Sequence, residues 1–236
     1  MSLRSRLATP DSKRRYVRTL FATIADRYDL ITRVLSYGQD RRWKRQLVDL
    51  ADPGAATVAL DLATGTGDIA FLLHDRAATT IGLDVTRRMI DIARTKRLDS
   101  SAPSFLVGDM MALPFPAASF DLVTTGYGLR NVPDLTTAID EMYRVLKTGG
   151  HALSLDFTRP STRLVRAAYL SYLTVVGSML GWILHRDADT YRYIPASISR
   201  YPSADGVAQI MRARGFRTVT HHRVLGGLMA IHHASK

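Results

Sequence analysis

The chain of 236 residues is 46% hydrophobic and 22% charged, which are the proportions of a folded globular protein rather than of a disordered one. It contains no cysteine, and this excludes disulfide frameworks, zinc–thiolate sites and thiol nucleophiles. The formal net charge of +11 favours contact with an anionic surface, either nucleic acid or phospholipid.

Much of the positive charge lies near the N-terminus. The first 18 residues hold one acid, Asp11, against the basic residues Arg4, Arg6, Lys13, Arg14, Arg15 and Arg18. We expect a solvated, partly disordered arm, with a membrane-surface contact or an Arg-rich organellar transit peptide as alternatives. The segment lacks the continuous apolar core of a secretory signal.

Strands alternate with helices through the middle of the chain. Short apolar runs predict strands at Thr57–Leu62, Thr79–Leu83, Phe105–Val107, Phe120–Thr125 and His151–Phe157. Helices are predicted at Asp68–Arg76, Arg87–Arg97 and Leu135–Lys147, the last of which should stop at Gly149-Gly150. This alternation predicts an α/β fold with a doubly wound, Rossmann-like parallel sheet. A closing antiparallel pair is predicted at Phe216–His222 and Leu228–His232.

The segment Ala167–Leu184 carries no charge over 18 residues, close to the lower limit of roughly 17–25 residues for a membrane span. Its tyrosines, hydroxyl groups and glycines make it only moderately apolar. We interpret it as helical structure that covers a pocket for an apolar ligand or dips into a membrane interface. Ordinary core helices are the alternative.

The run DLATGTGD (Asp61–Asp68) follows the first predicted strand, at the sheet edge where open α/β folds bind ligands. Its glycines remove side chains, so that the backbone can approach a cofactor. The GTGDIA part also fits a dinucleotide-binding pattern, so this motif is ambiguous between NAD and S-adenosylmethionine. Asp84, which ends the next strand, can accept hydrogen bonds from ribose hydroxyls in either case.

Tyr143 and Lys147 are four residues apart, as in the Tyr-x-x-x-Lys pair of short-chain dehydrogenases, where a lysine lowers the pKa of a tyrosine. That chemistry also needs a hydroxyl about a dozen residues upstream. Arg130-Asn131-Val132 stands there instead. We interpret the pair as structural and keep an NAD(P)-dependent reductase as a rival.

Six blocks spread over the chain resemble one family, the ubiquinone/menaquinone-biosynthesis C-methyltransferases. The blocks are Phe21–Arg45, Asp61–Asp68, Gly108–Val123, Gly126–Val132 (GYGLRNV), Asp187–Ser203 and Gly227–Lys236. The second and third are shared by class I methyltransferases in general, whereas GLRN and the opening block are far more specific. The resemblance implies a single domain over 1–236, with an N-terminal arm and helical lid in residues 1–50. It also implies a helical insertion over 159–203 that covers the substrate.

The resemblance further implies that the cofactor is S-adenosyl-L-methionine. Its contacts would come from Asp61, Ala63, Gly65, Thr66, Gly67, Asp84, Asp109, Met110 and Gly126, with Asp84 at the ribose and Asp109-Met110 at the adenine. Gly126 stands where many members have a serine that touches the cofactor. Asp156, Thr148 and Ala234 also depart from the family pattern, where glutamate, proline and glycine are usual.

The reaction implied is methylation of a ring carbon in a polyprenyl quinol, either demethylmenaquinol or a related benzoquinol. Because a sulfonium methyl group is already activated, no metal is expected. Arg130 is the candidate for stabilising phenolate charge, Asn131 for holding the quinol oxygen, and Asp156 for a general base. Tyr28, Tyr191 and Tyr193 are expected to line the substrate site. The adjacent histidine pairs lie on strands and face opposite sides, and His232 is expected to be a packed, hydrogen-bonded residue.

The expected partners are a lipid quinol and the cytoplasmic face of a membrane, bound peripherally, and a homodimer is left open. No aromatic stacking motif supports nucleic acid as a partner. Besides the reductase, two alternatives stay open. One is a methyltransferase for another small apolar acceptor, and the other is a basic binding protein without catalytic activity.

Overall fold

A seven-stranded sheet forms the centre of the molecule, with strand order β3-β2-β1-β4-β5-β7-β6. The structure is a computed structural model that describes residues 3–77, 79–96, 102–159, 162–187 and 190–236. The strands are β1 Val58–Leu62, β2 Thr79–Asp84, β3 Ser104–Val107, β4 Phe120–Gly126, β5 Leu146–Phe157, β6 Thr218–Val224 and β7 Met229–Ser235. The first five are parallel, and β7 pairs antiparallel with both β5 and β6. The predicted doubly wound sheet and its closing antiparallel pair are confirmed.

Helices cover both faces of the sheet because side chains alternate along each strand. On β1, Ala59 packs with the cluster of α4 and α5, whereas Leu60 and Leu62 pack with that of α7 and α10. The helices are α1 Leu3–Arg6, α2 Pro10–Ile24, α3 Tyr28–Leu35, α4 Asp40–Ala51, α5 Asp68–His74, α6 Arg87–Lys96, α7 Leu135–Val145, α8 Arg163–His185, α9 Tyr193–Arg200 and α10 Ala204–Ala213. The helices α1–α3 and α8–α9 form a lid over one end of the sheet and share a cluster of buried apolar side chains.

The basic N-terminal segment is helical, so the expectation of a partly disordered arm is wrong for the residues described. Thr9 and Ser12 form a capping box at the start of α2, and Pro10 occupies the first turn. Val17 and Ile24 are buried on its inner face. The charged side chains therefore belong to an amphipathic helix of the lid.

The predicted helix Leu135–Lys147 ends earlier, at Val145. Leu146 has an extended backbone and already belongs to β5. The Gly149-Gly150 pair therefore lies within the strand element rather than at a helix end, and Gly149 takes a positive φ of 78°. The expectation for His232 is confirmed, since its ring is buried and Nε2 lies 2.9 Å from the Ala204 carbonyl oxygen.

The apolar segment around Ala167–Leu184 forms one continuous helix, α8. Within the described parts of the chain, it is the one helix that is long and apolar enough to cross a membrane by length and composition. Tyr169, Leu173, Gly177 and Gly181 form its buried side. Most of its surface faces away from the protein.

Candidate active site

The carboxyl ends of β1, β2, β3 and β4 surround a cavity, which we call the cofactor cavity. It lies at the point where the strand order reverses on either side of β1, the position where doubly wound sheets bind ligands. Including its mouth, it holds about 740 Å³, within the size range of small-molecule sites. Of the predicted site residues, it is lined by Tyr28, Ala63, Gly65, Asp84, Asp109, Met110, Gly126 and Asn131.

The glycine-rich turn after β1 brings its backbone to this cavity. Ala63 and Gly65 have positive φ angles of 50° and 55°, and both line the cavity. Gly67 has a different role, since a Cβ there would come within 2.9 Å of the rings of Phe71 and Phe105. Gly67 lets α5 pack closely on the sheet, and it lines none of the cavities described here.

Asp84 is held by the turn it faces. Its Oδ2 accepts a hydrogen bond from the Gly65 N–H at 2.9 Å, and Oδ1 accepts one from the Thr86 N–H at 2.7 Å. Burial raises the pKa of this carboxyl, and the two backbone donors oppose the rise. The side chain is therefore fixed at the cavity wall with lone pairs left for a ligand.

Asp109 and Met110 form the cavity wall beyond β3. Asp109 Oδ1 accepts a hydrogen bond from the Met111 N–H at 2.9 Å, and Met110 is buried. Arg14 from α2 reaches across to Asp109 Oδ2 at 3.5 Å. The lid therefore extends over the adenine end predicted from the sequence.

Two predicted cofactor residues turn away from the cofactor cavity. Asp61 is buried and accepts hydrogen bonds from the hydroxyls of Thr64 at 2.6 Å and Thr124 at 2.8 Å. Burial raises the pKa of Asp61 to about 7. Thr66 donates to Asp29 Oδ1 of α3 at 2.6 Å. Asp61 and Thr66 instead line a small pocket next to the cofactor cavity. The two share Tyr28, Ala63, Gly65, Gly126 and Tyr127 in their walls.

A second cavity lies under the lid, and we call it the lid cavity. It holds about 650 Å³ including its mouth, and most of its wall is apolar. Its lining includes Leu20, Ile24, Ile31, Leu35, Phe157, Leu173 and Ile194, together with the predicted residues Tyr28, Arg130, Tyr191 and Tyr193. Phe21, Tyr28 and Tyr127 line both cavities, so the two meet at these three rings.

Arg130 forms a buried ion pair at the lid cavity. Its Nη1 lies 3.0 Å from Asp156 Oδ1, and its backbone N–H donates to Oδ2 of the same carboxylate. Nε is buried and has no hydrogen-bond partner among the described residues. The guanidinium also lies over the Phe157 ring, 4.9 Å from its centroid. One side of Arg130 is therefore anchored, and its Nε–H is a buried donor without a partner among the described residues.

Asp156 is anchored too firmly to reach a ligand directly. It is buried, accepts a third hydrogen bond from the Phe157 N–H at 2.8 Å, and lines neither cavity. Burial raises the pKa of this carboxyl, and the adjacent Arg130 charge opposes the rise. The geometry thus places Asp156 behind Arg130 rather than at a reacting atom.

Asn131 connects the cofactor cavity to the lid. Its Oδ1 accepts a hydrogen bond from the Tyr193 hydroxyl at 3.0 Å, and its Nδ2 donates to the Tyr127 carbonyl at 2.7 Å. Lys13 from α2 donates to the carbonyls of Arg130 and Val132 on the same turn, and burial lowers its pKa to about 8. The GLRN turn is thus held by both α2 and α9. Tyr191 lies next to the end of α8, with its hydroxyl 2.8 Å from His185 Nε2.

Tyr127 is a site residue that the sequence reasoning missed. It takes a positive φ of 61°, which is costly for a residue with a side chain. Its hydroxyl donates to Asp40 Oδ1 at 2.7 Å, and Lys44 lies 2.6 Å from the other oxygen of Asp40. These contacts fix the ring between the two cavities. The sequence offered one indication of this role, which is the position of Tyr127 inside the GYGLRNV block.

Ion pairs hold the lid onto the glycine turn and α5. Lys44 contacts Asp68 at 2.9 Å, and Lys96 contacts both Asp29 at 2.8 Å and Asp68 at 2.9 Å. Lys44 is buried, and its pKa is raised by Asp68 and Asp40 in spite of burial. These charges bring α3, α4 and α6 to the start of α5.

The Tyr143–Lys147 pair lies away from both cavities. Lys147 belongs to β5 and contacts Asp121 at 2.9 Å, near the start of β4. The Tyr143 ring packs edge-on against Phe216. This supports the structural interpretation of the pair.

Gly126 packs against Ile69, and a Cβ at Gly126 would lie 2.5 Å from Ile69 Cδ1, so the end of that side chain would have to move. We expect Gly126→Ser to lower the free energy of unfolding by about 1–3 kcal/mol, the usual cost of overpacking. In the double variant with Ile69→Val, which removes Cδ1, the loss should be smaller than the sum of the single effects. Urea unfolding of the three variants measures this coupling, and additive losses would show that Ile69 is not the cause.

Comparisons with known proteins identify the family. The model of the ubiE/COQ5 methyltransferase family matches residues 9–236. A demethylmenaquinone methyltransferase from Thermus thermophilus is 41% identical over 216 residues, covering 90% of this chain and 98% of that protein. A ubiquinone/menaquinone biosynthesis C-methyltransferase, UbiE, from Xylella fastidiosa is 36% identical over 230 residues, covering 95% and 91%.

The fold has relatives among solved structures. A SAM-dependent methyltransferase from Thermotoga maritima superposes with a TM-score of 0.68 at 21% identity, covering 93% of this chain and 99% of that one.

The family model and the sequence relatives together show that the chain belongs to the ubiE/COQ5 methyltransferase family and is an S-adenosylmethionine-dependent methyltransferase. The predictions of fold class, family and cofactor are confirmed.

Proposed function

We propose that this enzyme methylates a ring carbon of a polyprenyl quinol, such as demethylmenaquinol, in quinone biosynthesis. The observation that carries the proposal is a pair of adjacent cavities that share three aromatic side chains in their walls. The cofactor cavity meets the apolar lid cavity at Phe21, Tyr28 and Tyr127, and Arg130 places a cation in the wall of the lid cavity. An apolar chamber with one fixed cation suits an apolar substrate whose ring oxygen becomes an anion. The printed names of the relatives from Thermus thermophilus and Xylella fastidiosa support the same reaction.

The cofactor cavity fits S-adenosylmethionine. Asp84 presents a fixed carboxylate suited to the two ribose hydroxyls, and Gly65 lets the backbone approach closely. Buried Met89 and Met110 give an apolar wall beside Asp109, which suits an adenine ring with one polar edge. When bound, the cofactor supplies an electrophilic methyl group on a sulfonium.

Arg130 and Asn131 prepare the acceptor ring. The Arg130 guanidinium stabilises the phenolate that makes the ring carbon nucleophilic, and Asp156 holds it in place through the ion pair at 3.0 Å. Asn131 lies in the cofactor cavity wall and orients the ring oxygen where the cavities meet. Tyr28 and Tyr193 line the chamber that excludes water from the reacting carbon.

The reaction replaces a ring hydrogen by a methyl group, so one proton leaves the site in each turnover. Asp156 accepts three hydrogen bonds and lines neither cavity, so we assign it as a positioning residue rather than the general base. No carboxylate or imidazole belongs to the described lining of the lid cavity, so the proton passes to solvent through the mouth of that cavity.

Two measurements test the proposed function. We expect titration calorimetry to show binding of S-adenosylmethionine and none of NADH or NADPH. With radiolabelled cofactor, we expect the label to appear in the ring methyl of menaquinol when demethylmenaquinol is supplied. Binding of a nicotinamide cofactor alone would overturn the assignment. Methyl transfer only to other small apolar acceptors would keep the enzyme class and reject the quinol.

We also propose that the enzyme works at the cytoplasmic face of a membrane as a peripheral protein. The net charge of +11 and the apolar substrate support this location. The sequence analysis also left a homodimer open. Sedimentation velocity of the full chain measures the oligomeric state.

A further inference from the structure

Two neighbouring helices of the lid leave apolar side chains exposed. On α3, Leu30 and Val34 are 51% and 42% exposed, and Tyr37, in the turn after this helix, is 59% exposed. Leu30 and Val34 are four residues apart and therefore share one side of the helix. On α8, the exposed apolar side chains are Leu164 (79%), Val165 (46%), Val175 (68%), Met179 (54%), Trp182 (68%) and Ile183 (57%).

The two exposed rows lie side by side. The Tyr37 and Tyr172 rings stack with centroids 5.5 Å apart, and Arg27, just before α3, donates a hydrogen bond to the Leu184 carbonyl near the end of α8. We call the combined surface of Leu30, Val34, Tyr37, Val175, Met179, Trp182 and Ile183 the α3–α8 face. Contiguous apolar surface of this kind marks a binding surface in a soluble protein.

Basic residues border this face. Arg27, Arg33, Arg186 and Arg192 lie on or beside the two helices, and all are exposed. Arg192 reaches Ser178 on α8 at 3.4 Å. Among the nearby acids that the structure describes, Asp26 pairs with Arg88 and Asp29 pairs with Lys96. Asp187, after the end of α8, accepts a hydrogen bond from the Thr190 hydroxyl. An apolar centre with a tryptophan and an arginine border is complementary to an anionic phospholipid surface.

The inner sides of the same two helices line the lid cavity. Ile31 and Leu35 of α3 and Leu173 of α8 belong to its wall. One pair of helices thus separates the exposed apolar face from the apolar chamber beside Arg130.

We infer that the α3–α8 face docks on an anionic phospholipid bilayer and that the apolar tail of the substrate enters the lid cavity between α3 and α8. The inference rests on the proposed function for the identity of the substrate. The docking surface itself stands on the exposed side chains and the charge around them.

The two tryptophans provide a direct test. Trp182 lies on the face and is 68% exposed, whereas Trp43 of α4 is buried in the core. With vesicles of phosphatidylglycerol, we expect the Trp182 fluorescence to shift to the blue and to be quenched by lipids brominated on their acyl chains. Vesicles of phosphatidylcholine should bind much less, and high salt should release the protein, as expected for a peripheral surface contact.

The test variant is Met179→Gln/Ile183→Gln, which keeps Trp182 as the probe. Its matched control is Leu106→Gln/Val107→Gln, because these aliphatic side chains of β3 are also about half exposed, at 40% and 43%, but lie on the outer strand of the sheet. We expect the test variant to lose at least about tenfold in vesicle affinity, while the control binds like the wild type. Equal vesicle binding by both variants, or no quenching of Trp182 in the wild type, would overturn the assignment.

Turnover separates this inference from the proposed function. The test variant should methylate a short-tailed, water-soluble quinol like the wild type and lose activity on a long-tailed quinol embedded in vesicles. A wild-type protein that docks on vesicles through this face but methylates no quinol would reject the proposed function and support the docking surface. Self-association that the test variant abolishes, with no vesicle binding by the wild type, would assign the face to a second copy and overturn the inference.

Discussion

Arg130→Ala is expected to lower kcat by about 100- to 1000-fold, the usual loss when a group that stabilises developing charge is removed. Affinity for S-adenosylmethionine should stay within a few-fold of the wild type. Arg130 lines the lid cavity and not the cofactor cavity, so its removal leaves the walls of the cofactor cavity unchanged. Single-turnover rates and titration calorimetry measure the two quantities separately. Unchanged turnover would remove Arg130 from the mechanism.

The same substitution should also lower stability, because Asp156 would be left buried and without its ion-pair partner. Breaking a buried pair in this way costs about 3–5 kcal/mol. Arg130→Lys keeps the cation and should recover much of the stability, but it lacks the Nε donor and the planar fork, so kcat should stay at least about tenfold low. Arg144→Ala breaks an ion pair with Glu141 that is more exposed and remote from both cavities, and it is the matched control for loss of an arginine.

The sequence predicted the cofactor site better than the lid. Asp84 and Gly126 end β2 and β4, and Asp109 follows β3. The carboxyl ends of parallel strands lie at one edge of the sheet, whatever the conformation of the loops. Their convergence in one cavity therefore follows from strand assignment alone. Which way a side chain turns within the first loop does not follow. Asp61 and Thr66 flank Ala63 and Gly65 in the chain, yet they bond to Thr124 and Asp29.

The lid depends on contacts between distant residues, which local pattern does not encode. Tyr127 reaches Asp40 across 87 residues of sequence, and no spacing rule indicates that contact. The helical structure of the N-terminal segment was easier to predict from the sequence. Thr9 and Pro10 are a helix-start signal, but the high density of charge made disorder the favoured interpretation. The apolar positions Val17, Leu20 and Ile24 show that the positive charge lies on one side of an amphipathic helix.

The second large effect is expected for Asp84→Ala, which should weaken S-adenosylmethionine binding by at least about 100-fold. Each hydrogen bond from a ribose hydroxyl to a buried carboxylate contributes roughly 1.5–3 kcal/mol, and two such bonds account for that factor. The carboxylate also fixes the Gly65 N–H at 2.9 Å, so its loss loosens the turn against which the cofactor packs. Titration calorimetry with the full chain measures the change.

Asp84→Asn separates the two contributions, because it keeps the size of the side chain and an oxygen acceptor but removes the charge. We expect an intermediate loss of affinity, with thermal stability close to that of the wild type. Asp121→Asn is the matched control, since this aspartate lies near the opposite ends of the strands, where it accepts from the Val58 N–H and contacts Lys147. It should leave cofactor affinity unchanged. An Asp84→Ala variant that binds S-adenosylmethionine within threefold of the control would place the ribose elsewhere in the cavity.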